Sequence, residues 1–507
     1  MKKNHLMTLP KLCAVALLGA TTLLASCAVD GFKDESFVGT YGSTDLITPG
    51  VSEITVTPSA DKKTQTISWP AVSGAGKYFI SLYKGTIEDG DQIVSEVIER
   101  GRTVKVNSVT FPREEETDYI FQLSVLDNEP EGNKSDGKTT VYPFSTFTPT
   151  FATLEDGTDL KQYFDENPIP SENIGKDVAF DLKPGKTYYL SDMLDFGAQT
   201  LTLRCKDKEN PAKVIFSGTA SSFETSAGLT LKNLNIDCSQ SLGAFIAMSK
   251  TPTVTPVIVN AWGADYNFYC AKDPIAVLNC KVEGINSFIF WDNKVQVWFP
   301  TTVLIDNSIL HLTTSLEAKD CIGGGYIWTN KGSGFIRSLT INNSTIYNTG
   351  AAESKYFVQY GGFGNDQVKD PYTQLGWADN QITYSNCTFY NVCPAGQWGN
   401  YNGVAGKKTS YWTMTNCIFW NCSSSGVARR FLAGRQNQET ATFLNNTYMK
   451  KDGTFDTPNT DTGKYDLSGT DIQEDPKFAD PANADFHISG AKQVSLGTGD
   501  PRWLPEN

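Results

Sequence analysis

The sequence predicts an all-β protein, a small sandwich followed by a long parallel β-helix, and three observations carry that prediction. First, one phrase occurs seven times between residues 233 and 448: an Asn, two variable residues, then an apolar or aromatic one. The copies begin at Asn233, Asn279, Asn307, Asn343, Asn386, Asn416 and Asn445, at spacings of 46, 28, 36, 43, 30 and 29 residues. Second, each copy lies in an alternating run such as Leu339-Thr-Ile-Asn-Asn-Ser-Thr-Ile-Tyr347, the pattern of a strand with one buried face. Third, 43 glycines, 12% aromatic and only 20% charged residues suit a β-rich extracellular chain. Self-similarity at about 20–50 residues marks solenoids and propellers, and one short strand per irregular period suits stacked coils with loops inserted between them. An Asn at the same turn of every coil can bond, amide to amide, to the Asn above and below.

The elements follow in order. Lys2 and Lys3, an apolar run from Leu12 to Ala25, and Leu24-Ala-Ser-Cys27 read as a signal peptide over residues 1–26, its core too short to span a bilayer. Its removal takes away Lys2, Lys3 and Lys11 and no acid, moving the net charge from −13 to −16. Such a chain lacks the clustered cations that nucleic-acid binding needs. Residues 27–50 are polar and read as a tether. Residues 51–146 hold five strand-like runs spaced by turns: Ile54–Val56, Thr64–Trp69, Lys77–Tyr83, Thr103–Val106 and Tyr119–Val125. Residues 151–507 are expected to form the β-helix, opened by a short capping helix over Asp159–Phe164 and closed by a C-terminal cap. Of eleven cysteines, Cys280, Cys387 and Cys417 directly follow a ladder Asn, and no CxxC occurs, so the thiols are expected to be free and packed.

Several of these segments resemble known families. Leu24-Ala-Ser-Cys27 is similar to the bacterial lipobox, which implies Cys27 as the lipidated first residue of an outer-membrane lipoprotein. Lys33-Asp34-Glu35 resembles the Bacteroidetes export signal that sends lipoproteins to the cell exterior. Trp69 before a proline, the Gly74–Tyr78 turn and the Asp118-Tyr119 step resemble a fibronectin type III module, with Trp69 in the core and Tyr119 in the tyrosine corner. Lys183–Leu190, Leu201–Arg204, Lys213–Phe216 and Leu229–Ile236 look like the opening coils of pectate-lyase-like right-handed parallel β-helices. Asp475–Pro481, Asp485–Ile488 and Asp500–Trp503 resemble the closing coil of such proteins. Together the segments resemble Bacteroidetes surface lipoproteins that join the two modules.

Function is expected where coils carry long insertions. The stretches 237–276, 348–382 and 392–411 hold Trp262, Tyr266, Phe268 and Tyr269, then Tyr356, Tyr360, Phe363 and Trp377, then Trp398, Tyr401 and Tyr411. Aromatic faces beside polar groups suit sugar rings, which nominates Tyr360, Trp377, Trp398 and Tyr401 as ligand-binding residues, against the plainer reading that the rings pack loops onto the barrel. Arg429, Arg430 and Arg435 lie between the sixth and seventh ladder strands. An Arg fork recognises the carboxylate of a uronate polysaccharide. The lyase resemblance implies a catalytic role for Arg429 or Arg430 as proton acceptor, with Ca²⁺ as the cofactor that acidifies the proton. Asp292, Asp306, Asp320, Asp366, Asp370 and Asp379 are scattered singly, however, and the polygalacturonase and Arg-x-Pro-x-x-Arg lyase patterns are absent. After cleavage only His311 and His487 remain, too few for a triad or zinc site. Three readings therefore stand: a membrane-anchored binder of an acidic polysaccharide, a β-eliminating lyase, and a structural or adhesive surface protein.

Overall fold

A left-handed residue at every ladder position sets the geometry of the larger unit. The computed structural model describes residues 45–59, 64–88, 90–114, 116–128, 132–261, 264–329, 334–361, 375–401, 409–432, 441–456 and 464–506. All seven ladder asparagines have φ between 47° and 53°, a conformation Asn tolerates better than most residues with a Cβ. Each turns the chain from one parallel sheet into the next, as Asn233 does between Gly228–Lys232 and Leu234–Asp237. Sheet 1 has ten strands, from Thr150–Leu154 to Ala441–Leu444; sheet 2 has nine, from Thr187–Leu190 to Thr447–Met449; sheet 3 has seven, from Met193–Asp195 to Gln397–Asn400. Strands pair in register, so Leu231, Val277, Ile305, Ile341, Tyr384 and Met414 form one buried file.

The amide ladder forms in two pieces. Asn279 donates to Asn233 at 2.9 Å and Asn307 to Asn279 at 3.0 Å; Asn386, Asn416 and Asn445 each donate to the Asn before at 3.1–3.2 Å. Between Asn307 and Asn343 it breaks. Asn343 turns to Asp306 Oδ1 at 3.0 Å, and Asn307 Oδ1 accepts from Arg502 at 2.9 Å. A second amide pair, Asn421 to Asn391 at 2.6 Å, sits at the turn into sheet 3. Cys280, Cys387 and Cys417 are buried and free, as are the other described cysteines, except that Cys270 is only partly buried.

The expected capping helix spans Leu160–Glu166, with the Asp159 side chain accepting from the Gln162 N–H and Leu160 and Phe164 turned inward. The far end differs from a closing coil. Phe478–Asp480 and Asp485–Ile488 pair with each other, and the segment runs back along the ladder ridge. The Ile472 N–H bonds Asn446 O, the Gly499 N–H bonds Asn416 O, and Trp503 Nε1 donates to Thr345 Oγ1 at 2.7 Å. Phe486 packs on Tyr347 and Tyr390 of the outward aromatic file of sheet 2. Burying that file and donating to the ridge oxygens of Asn446, Asn416 and Thr345 favours a strap over a further coil.

The chain divides into two units, Met1–Phe147 and Thr148–Asn507. The first is a sandwich of a three-stranded and a four-stranded antiparallel sheet. Trp69 meets Tyr78 edge-on at 5.4 Å and packs against Phe121. The Tyr119 hydroxyl accepts from the Glu114 N–H at 3.0 Å, the tyrosine-corner bond of fibronectin-like modules.

Candidate functional site on the third sheet

Four of the aromatic candidates belong to the core. Trp398 and Tyr401 are 0% exposed, Tyr360 3% and Trp377 8%. Trp398 stacks on Phe357 at 4.4 Å and takes Phe389 and Phe419 edge-on. Tyr401 meets Trp412 at 4.7 Å and Tyr360 at 5.6 Å, and Trp377 lies against Phe299 and Phe335. Their faces are covered by other rings, so none is a sugar platform. The physical reason is that the stretches read as insertions contain the third strand of each coil: Ile246–Met248, Tyr356–Tyr360 and Gln397–Asn400 all lie inside them. Tyr411 is 54% exposed, but it sits on the outer side of sheet 1. Arg435, Cys27, Trp262, Phe363, Asp366 and Asp370 lie outside the described residues.

Arg429 and Arg430 lie on a short helix, Val427–Phe431, anchored where the Val427 N–H donates to Asp456 Oδ2 at 2.9 Å and where Phe431 packs on Trp412 and Tyr384. Burial, then the adjacent charge of Arg429, pulls the Arg430 guanidinium below its ordinary pKa, with Tyr356 pulling the other way. The carboxylates do not converge on a cation. Asp292 and Asp320 are joined through Lys294, whose N–H reaches one at 3.0 Å and whose ammonium reaches the other at 2.8 Å. Asp379 faces Arg337. Among the described residues no three His, Cys, Asp or Glu side chains come together, and hard cations need several oxygens. The described residues do not fit the expected Ca²⁺.

What the structure does assemble is the outward row of sheet 3. Register places Glu224, Ala247, Trp291, Trp328, Gln359 and Asn400 side by side on successive rungs, while the neighbouring Ile246, Phe290, Ile327 and Val358 are buried. Ser222 Oγ, Glu224 Oε2, Trp291 Nε1, Trp328 Nε1 and Gln359 Oε1 on these strands are buried with no hydrogen-bond partner among the described residues, as is Arg430 Nε beside them. Buried polar atoms are normally paired; Trp398 Nε1 and Tyr401 Oη in the core are unpaired too, so it is the grouping of these atoms along one outward row that leaves a place for a ligand or ordered water. Cations gather on it too: Lys294 lies 4.5 Å over the Trp328 ring and Lys355 lies 5.4 Å over Tyr356. Long connections leave the ends of this sheet, at 249–274 and 361–378. Sequence reasoning missed Glu224 and Trp291, since strands of four and two residues give no periodic signal.

Residues 1–184, 186–349 and 382–503 match three families, each described as a domain of unknown function (DUF4992, DUF4957 and DUF5123). No protein of curated function matches the sequence. The fn3 domain of human collagen alpha-1(XX) chain is 17% identical, over 22% of this chain and 95% of its own, with a TM-score of 0.15. A mutant of the PL6-family alginate lyase AlyGC is 13% identical over 69% of this chain, with a TM-score of 0.34; this chain spans 44% of the lyase's length. Pectate lyase PelI from Erwinia chrysanthemi, solved with tetragalacturonic acid, is 10% identical over 68% of this chain and 87% of its own, with a TM-score of 0.19.

Proposed function

We propose that this chain is a cell-surface glycan-binding protein that holds an acidic polysaccharide along the outward row of sheet 3. The run of unpaired buried polar atoms beside Trp291 carries the reading. Rungs repeat at about 4.8 Å, comparable to the length of a pyranose unit, so a polymer lying along the coil axis offers one sugar per rung. In a chain of net charge −13, Lys250, Lys294, Lys355, Arg429 and Arg430 border this face, which favours an anionic ligand. Acylation at Cys27 and the Lys33-Asp34-Glu35 signal would hold the protein on the outer face of a Bacteroidetes-type outer membrane. Affinity gels carrying pectin, glycosaminoglycan and alginate test the reading. Retardation on at least one, weakened by Trp291→Ala, is expected; mobility unchanged on all of them rejects it.

A second reading is favoured by the half-buried Arg430, whose Nε is enclosed and whose guanidinium is pulled below its ordinary pKa. A guanidine that gives up its proton more readily can take the C5 proton of a uronate while the C4–O4 bond breaks, the C4=C5 double bond forms and the departing oxygen takes a proton from water. Product with a new C=C absorbs in the near ultraviolet. Its appearance with wild type and loss in Arg430→Ala supports elimination; its absence on every uronate polymer leaves binding alone.

A further inference from the structure

A cavity of about 420 Å³ opens at one end of the sheet 3 row, lined among others by Asp192, Ser222, Glu224, Lys250, Trp291 and Asn293. Its floor is built of buried polar groups. Glu224 is 2% exposed and Ser222 4%. The Asn293 amide, held by Met248 O at 2.5 Å, donates to Glu224 Oε1 at 3.0 Å. That bond fixes the carboxyl, the Lys250 backbone N–H also approaches it, and Oε2 is buried without a hydrogen bond of normal geometry. Trp291 is partly buried, stacked against Phe288 at 4.5 Å, and its Nε1 is likewise unpaired. Lys250 is exposed at the rim.

We infer that this cavity is a subsite for one carboxylate-bearing sugar unit, with Lys250 paired to the ligand carboxylate, Glu224 and Asn293 bonding its oxygens and Trp291 against its ring. The inference rests on the proposed glycan reading and assigns its charge recognition to one place. Burial, reinforced by Asp195 on the next strand, holds the Glu224 carboxyl above the usual range, against the pull of the Asn293 amide and Lys250. The Lys250 ammonium matches one anionic group, while the Asp192 and Glu224 carboxyls that also line the cavity accept from sugar hydroxyls; a neutral sugar would leave that ammonium unmatched. The volume admits a single sugar ring with its exocyclic group.

Calorimetry on the mature chain with uronate trisaccharides, and with the same trisaccharides after reduction of their carboxyls, tests the assignment. The acidic forms of at least one uronate are expected to bind at least tenfold more tightly than their reduced partners. Lys250→Ala is expected to abolish that preference while leaving the reduced sugar bound as before. Lys250→Arg is expected to keep it, and Trp291→Ala to weaken both forms. Because Lys250 is exposed, its replacement leaves folding intact, which circular dichroism verifies. Equal binding of acidic and reduced forms, or a preference that survives Lys250→Ala and vanishes in Arg430→Ala, overturns the subsite and leaves the glycan reading standing. Failure of every trisaccharide, together with unretarded gels, removes both.

Discussion

At Asn386 one residue meets two demands, and they are separable by substitution. Its backbone sits at φ 53°, where a residue with a Cβ carries about 1–3 kcal/mol of strain unless its side chain compensates. Its amide donates to Asn343 and accepts from Asn416, both at 3.1 Å, and each such bond contributes about 1 kcal/mol. Asn386→Ala removes both bonds and leaves the strain without the compensation the Asn side chain provides, so a loss of about 3 kcal/mol is expected. Asn386→Gly also removes the bonds but relieves the strain, less the extra chain entropy of glycine, and should lose about 1 kcal/mol less. Urea unfolding of the two variants decides it. Glycine proving as costly as alanine would mean that the turn conformation is not what selects Asn at this position.

The C-terminal strap shows how an element with little regular structure holds by a few buried polar contacts. Asp500 is 1% exposed, accepts from Thr345 Oγ1 at 2.7 Å and pairs with Arg502 at 2.8 Å. Burial outweighs the guanidinium and pushes its carboxyl up to about 6. The folded chain thus keeps a proton between about pH 4 and pH 6 that the unfolded chain releases, and the strap loses stability as pH rises through that window. Above pH 6 the loss is complete and stability no longer depends on this group. Asp500→Asn is expected to abolish the slope, read as the pH dependence of amide exchange over residues 472–503. Arg502→Ala, which strips a buried acid of its partner and frees Asn307 Oδ1, should raise exchange there at every pH, on the order of 2 kcal/mol in local opening. A strap equally protected in Arg502→Ala would show that Phe486 and Trp503 alone hold it.

Over the whole molecule, the repeat was legible because one stereochemical need, a left-handed turn, recurs at seven asparagines, and the sandwich because Trp69 and Tyr119 are spaced as their packing requires. The site was less legible. Strands of two to five residues in sheet 3 do not establish a period, so Tyr360, Trp398 and Tyr401 read as loop rings although they are core, and Glu224 gave no signal at all. The strap broke the ladder at Asn307 through Arg502, a contact between positions 195 residues apart. The cysteines test the packing that ties these levels together. In-register stacking sets Cys387 and Cys417 on adjacent rungs, yet every described thiol is free and all but Cys270 are buried. Burial also suppresses the reactive thiolate, pushing Cys280 up to about 12. Of the nine described cysteines, the native chain should therefore expose one slowly reacting thiol, Cys270, to an aromatic disulfide reagent, and the other eight only after denaturation. Rapid titration of several thiols in the native state, or a Cys387–Cys417 bridge found by mass spectrometry, would show that the coils are not the dry, continuous stack on which the outward row of sheet 3 depends.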